Sequence, residues 1–185
     1  MSAVAPCPSL DAFLAEIRAE FPRFRVVPKQ GDALQRVIDV ALRVVTLGGQ
    51  REYLTRYHTV LGDTLYVPAA WDATPDVDRV ITLHHERVHL RQRRRLGTLG
   101  LTLVYLLPIL PLGLAWGRAR IEWEAYAETL RATARYKGLA AARDATLREH
   151  LVRQFCSAAY GWMWPFPAQV QRWIDDTLDA LAREA

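Results

Sequence analysis

Apolar positions in this chain recur at helical spacing in several stretches, and in one stretch they alternate. Ser9 stands as an N-cap before Phe13, Leu14 and Ile17, predicting an amphipathic helix to Phe21 that Pro22 breaks. Phe24-Arg25-Val26-Val27 reads as a short strand. A second helix is expected from Asp32 through Val37, Val40, Ala41, Val44 and Val45, ended by Gly48-Gly49. Arg51 to Val67 alternates around Leu61-Gly62-Asp63, the pattern of a β-hairpin. Pro75-Asp76-Val77-Asp78 opens a third helix, with acids where the N-terminal end of the helix dipole favours them, and Val77, Val80, Ile81 and Val88 give it a buried face. A fourth begins near Ile121 and runs to Tyr136-Lys137, with Gly138 as its stop. Helices over Ala140–Phe155 and about Ala168–Ala182 follow.

The third helix carries His85-Glu86-Arg87-Val88-His89, an H-E-x-x-H pattern. Residues four apart stack on one helix face, so the two imidazoles can grip one metal ion. Glu86 lies about a third of a turn away and reaches a water rather than the metal. Two neutral histidines, a carboxylate base and an open position are the working parts of a zinc hydrolase. Gln92 falls one further turn along, where its amide can bond a ligand or the backbone. A third ligand is expected from Glu122-Trp123-Glu124-Ala125-Tyr126-Ala127-Glu128 on the fourth helix.

These residues resemble the zincin metallopeptidases, in the branch that uses two histidines and a downstream glutamate. There an E-x-x-A-E-like register follows H-E-x-x-H, and Glu124 to Glu128 fits it. The resemblance implies zinc, one ion per chain, held by His85, His89 and Glu124, with Glu122 as the alternative third ligand. It implies Glu128 as an acid supporting a histidine, and Glu86 as general base in peptide hydrolysis. Tyr126 or Tyr160 is the candidate donor to an oxyanion. A further resemblance is to bacterial proteins that pair a segment like Thr64-Leu65-Tyr66-Val67-Pro68 with H-E-x-x-H-x-x-Q. The likeness covers roughly residues 50–137 and implies a zincin-like α+β fold, mainly helical, with a small antiparallel hairpin packed on the metal helix. In such folds the strand nearest the metal helix pairs with extended substrate, and the hairpin is the candidate for that part. Tyr57 and His58 lie on it and receive no role.

Leu96 to Trp116 has no charged side chain and is long enough to span a bilayer. Pro108, Pro111, Gly113 and Gly117 argue against one straight helix. A span would also put about 30 Å of hydrocarbon between His89 and Glu124, which then could not share a metal. A hairpin turning at Pro108–Pro111 reconciles both, either buried or dipping into a membrane surface beside Arg91 and Arg93–Arg95.

With 185 residues and a formal net charge of +4, the chain reads as a single domain: a metal core at about 50–137, the apolar hairpin at 96–116, and a helical cap at 138–185. The arginine run has no aromatic interleaving or nucleic-acid motif, so nucleic acid is not an expected partner; a peptide or protein substrate is. Two cysteines, Cys7 and Cys156, form no disulfide framework, and no basic-then-apolar signal opens the chain. A cytoplasmic location is expected, with peripheral membrane contact through Leu96–Trp116 as the variant. The rival functions are a catalytically inactive binding or scaffold protein on a zincin-like core, and a membrane-surface interaction protein organised around the apolar hairpin.

Overall fold

The computed structural model describes residues 4–30, 32–33, 35–36, 39–40, 58–106, 115–157 and 163–184. The turn expected at Pro108–Pro111, the helix end at Gly48-Gly49, Tyr57 and Tyr160 lie outside them. The chain divides into two compact units: Pro8–Val80, and Ile81–Ala185 together with Met1–Cys7.

In the first unit, helix α1 (Leu10–Glu20) is capped by Ser9, whose hydroxyl accepts from the Ala12 N–H at 3.2 Å. It buries Phe13 and Ile17. Strands β1 (Arg25–Pro28), β2 (Thr59–Leu61) and β3 (Thr64–Val67) form one sheet in the order β1-β3-β2. Of the hairpin expected over Arg51–Val67, the part around the turn is present: β2 and β3 are antiparallel across Gly62-Asp63, where Gly62 takes φ 62°, and residues 51–57 lie outside the described residues. The sheet is not purely antiparallel, however, because β1 pairs with β3 in parallel, Val26 opposite Leu65. A parallel partner reaches β3 by a long connection, and no local turn signal announces it. Leu65 and Val67 are buried, as is Trp71 in the 3₁₀ turn Ala69–Ala73.

Helix α2 (Asp76–Leu106) opens with Asp76 and Asp78 in its first turn, and Arg79 bonds Asp76 at 2.5 Å. Its course breaks at Gly97 (φ 70°, ψ 164°), a conformation that glycine adopts without steric cost. Helix α3 (Trp116–Lys137) starts more than a turn earlier than the sequence pattern indicates and stops at Gly138, φ 90°. Val104 and Gly117 lie against each other: a Cβ on Gly117 would meet Val104 Cγ1 at 2.7 Å. The end of α2 and the start of α3 therefore lie against each other at this point, and the turn expected between them falls outside the described residues. Among the described residues no helix is long and apolar enough to cross a membrane.

The single helix expected over Ala140–Phe155 is two, α4 (Leu139–Ala142) and α5 (Ala145–Cys156). Asp144 separates them because its carboxylate accepts from the Thr146 and Leu147 N–H groups and caps α5. Helix α6 (Pro167–Glu184) buries Val170, Ile174 and Leu178. These join Leu130 of α3, Leu151 and Phe155 of α5, and Met163 in the core of this unit. Trp123 and Tyr126 of α3 pack against that core, which fixes the rotation of α3 and hence which of its glutamates turn inward.

Candidate metal centre

His85 and His89 lie one turn apart on α2, with ring centroids 4.9 Å apart. Their Nε2 atoms are 3.2 Å from each other. Glu122 of α3, 6% exposed, brings Oε2 to 3.7 Å from His89 Nε2. One ligand atom from each of the three lies within 4.8 Å of the others. Tetrahedral zinc with Zn–N near 2.0–2.1 Å separates two nitrogens by about 3.3 Å, so the imidazole pair has the spacing of two zinc ligands.

The far side of each ring is held as well. His89 Nδ1 sits 2.9 Å from Gln92 Oε1. The amide of Gln92 has one possible orientation, because its Nε2 donates to Ile121 O and to Glu124 Oε2, both at 3.0 Å. Its Oε1 therefore accepts, and His89 carries its proton on Nδ1. His85 Nδ1 lies 3.1 Å from Thr129 Oγ1, whose own hydrogen goes to Ala125 O at 3.2 Å. His85 accordingly donates from Nδ1 too. Both Nε2 lone pairs then face one another and the Glu122 carboxylate, three electron-rich atoms in one place. That set fits a divalent cation: lone pairs at this distance repel unless a positive charge lies among them. Burial raises the Glu122 carboxyl above its ordinary range, an effect that nearby His89 opposes whenever it is protonated. A buried acid of this kind is one that a cation restores to its charged form.

Glu122 is thus the glutamate brought to the histidines, and Glu124 is not part of the cluster. Glu124 bonds Gln92 and lies 3.5 Å from both Arg95 and Arg120, so it touches His89 only through the amide. Glu128 does meet a histidine, but it is His84: His84 Nδ1 is 3.1 Å from Glu128 Oε1, and His84 Nε2 is 3.1 Å from the Tyr136 hydroxyl. Burial pushes the Glu128 carboxyl up, but the hydrogen bond and charge of His84, with Arg131, outweigh this and hold it below the usual range. Glu86 is buried, 6% exposed, one position beyond His85. Tyr126 packs edge-on against the His85 ring at 4.7 Å.

Glu128 reads from sequence as a histidine's partner, whereas Thr129, His84 and Tyr136 carry no sequence signal for these roles. Charge partners at helical spacing do not separate the two glutamates, because Arg118 stands four residues before Glu122 just as Arg120 stands four before Glu124.

No family model, curated protein or solved structure matches this chain. The reading of the site rests on its own residues.

Proposed function

We propose that this protein is a zinc-dependent hydrolase of peptide bonds, with the metal held by His85, His89 and Glu122. The observation that carries it is the pair of Nε2 atoms 3.2 Å apart beside a buried carboxylate, with both Nδ1 atoms engaged from behind. Two histidines and one carboxylate are a zinc hydrolase's protein ligands, which leave one position open. The peptide bond as substrate comes from the resemblance of H-E-x-x-H plus a downstream glutamate to the zincin metallopeptidases. Bound there, zinc supplies Lewis acidity, acidifying water and polarising a carbonyl.

The chain's own residues divide the remaining work. Thr129 and Gln92 hold the proton of each histidine on Nδ1 and keep Nε2 free of one. Glu86 is the group for proton transfer: its carboxylate takes a proton from the attacking water and passes it to the leaving amine. Being buried on the same helix as the two histidines, it is held by α2 rather than by a loop.

The test is Glu86→Gln in zinc-loaded protein. Retained zinc with lost peptide hydrolysis is expected, since a base is removed and the ligands are kept. Zinc-loaded wild type that cleaves no peptide in a mixed peptide library would replace this reading with that of a metal-binding protein without hydrolytic activity.

A further inference from the structure

A basic and apolar face lies beside the metal centre. Between Arg87 and Ile121 the sequence holds seven arginines and no Asp or Glu, a formal charge of +7 in a chain whose total is +4. The rest of the chain therefore nets −3. Inside that window no charged side chain occurs from Leu96 to Gly117. Three apolar residues toward the ends of this stretch stand in solvent: Leu99 is 74% exposed, Leu103 48% and Trp116 47%.

These residues are close in space. Val104, next to Leu103, touches Gly117, next to Trp116. Trp116 in turn packs on Trp164 at 5.3 Å, and Trp164 on Phe166 at 5.2 Å, itself 46% exposed. Trp164 and Phe166 thus extend the apolar face with aromatic rings, the side chains that favour the headgroup level of a bilayer. Arginines flank it on both legs: Arg91, Arg94 and Arg95 are exposed on α2, and Arg120 is exposed one turn beyond Trp116 on α3.

We infer that this face docks on an anionic membrane surface, with Leu99, Leu103, Trp116 and Phe166 entering the headgroup boundary and the arginines lying against lipid phosphates. Charge selects this occupant. The face carries exposed Arg91, Arg94, Arg95 and Arg120 beside the Glu124 carboxylate, which lies 3.5 Å from Arg95 and Arg120; that cationic excess complements an anionic lipid surface and disfavours a second copy of itself. Exposed leucines ringed by arginines match the composition of segments that lie in a bilayer interface without crossing it. The inference does not depend on the metal reading. If both hold, the substrates are those presented at a membrane surface.

The experiment is flotation of the full chain with vesicles of phosphatidylcholine plus phosphatidylserine, and with phosphatidylcholine alone, across a salt series. Binding to the anionic vesicles that weakens with salt is expected. The double variant Leu99→Ser/Leu103→Ser and, separately, Arg91→Gln/Arg94→Gln should each weaken it about tenfold or more. Both keep the far-ultraviolet circular dichroism and metal content of wild type, because none of these side chains belongs to the His85–His89–Glu122 cluster. Failure to float with the anionic vesicles, or equal binding of both double variants and wild type, would overturn the inference. A concentration-dependent dimer dissolved by Leu99→Ser/Leu103→Ser would overturn it too, and would assign the face to a second copy.

Discussion

Gln92 Oε1 accepts from His89 Nδ1 at 2.9 Å, and the amide cannot turn round because Ile121 O and Glu124 Oε2 both require its NH₂ group. A glutamine one turn beyond the histidine pair thereby fixes which nitrogen of His89 is available to a metal. Gln92→Leu should lower zinc affinity about 10- to 100-fold without unfolding the protein, and Thr129→Val should do the same through His85. Competition with a chromophoric chelator measures both. Affinities equal to wild type would mean that the rings are oriented by something other than these two side chains.

The two glutamates of α3 separate by the same assay. Glu122→Gln should weaken zinc binding at least about tenfold more than Glu124→Gln, since the first removes a charged ligand and the second alters a group acting through Gln92. Glu124→Gln also keeps an oxygen that can accept from the Gln92 amide. The reverse order would move the ligand to Glu124.

How far the sequence reached depended on whether a feature is local. Ser9, Pro75-Asp76 and Gly138 mark helix ends that the structure reproduces, because caps and stops act within one turn. Gly62-Asp63 marks the β2–β3 turn for the same reason. The choice between Glu122 and Glu124 is not local. It depends on how α3 is rotated about its axis, which Trp123, Tyr126, Leu130 and the α5–α6 core determine. The parallel pairing of β1 with β3 joins residues far apart in sequence and has no turn to announce it. Asp144 caps α5 locally, but Ala140–Ala142 before it and Ala145 after it favour an unbroken helix by propensity alone.

In the first turn of α3, Gly117→Ala should destabilise the protein by about 1–3 kcal/mol, because the added methyl meets Val104 Cγ1. Val104→Ala in the same chain should return part of that loss. Urea denaturation of the single and double variants reads the coupling. Independent, additive effects would show that the two legs do not lie against each other at this point.

In the Pro8–Val80 unit, burial and then the charge of Lys29 lower the pKa of His58 from 6.5 to about 4. The folded state therefore keeps His58 neutral where the unfolded chain binds a proton. Stability from this group is complete above pH 6.5 and is lost as pH falls towards about 4, at most about 3 kcal/mol. His58→Gln should flatten that part of the stability–pH curve, as measured by denaturant unfolding between those limits. A wild-type curve level across this window would contradict the buried, neutral assignment.

The central claim is that His85, His89 and Glu122 together hold one zinc ion. Elemental analysis of purified protein, dialysed against buffer with added zinc and then without it, tests this most directly. Wild type should retain close to one zinc per chain, and His85→Ala/His89→Ala close to none, with the same helix content by circular dichroism. Near-stoichiometric zinc in the folded double variant, or none in wild type, would contradict the account.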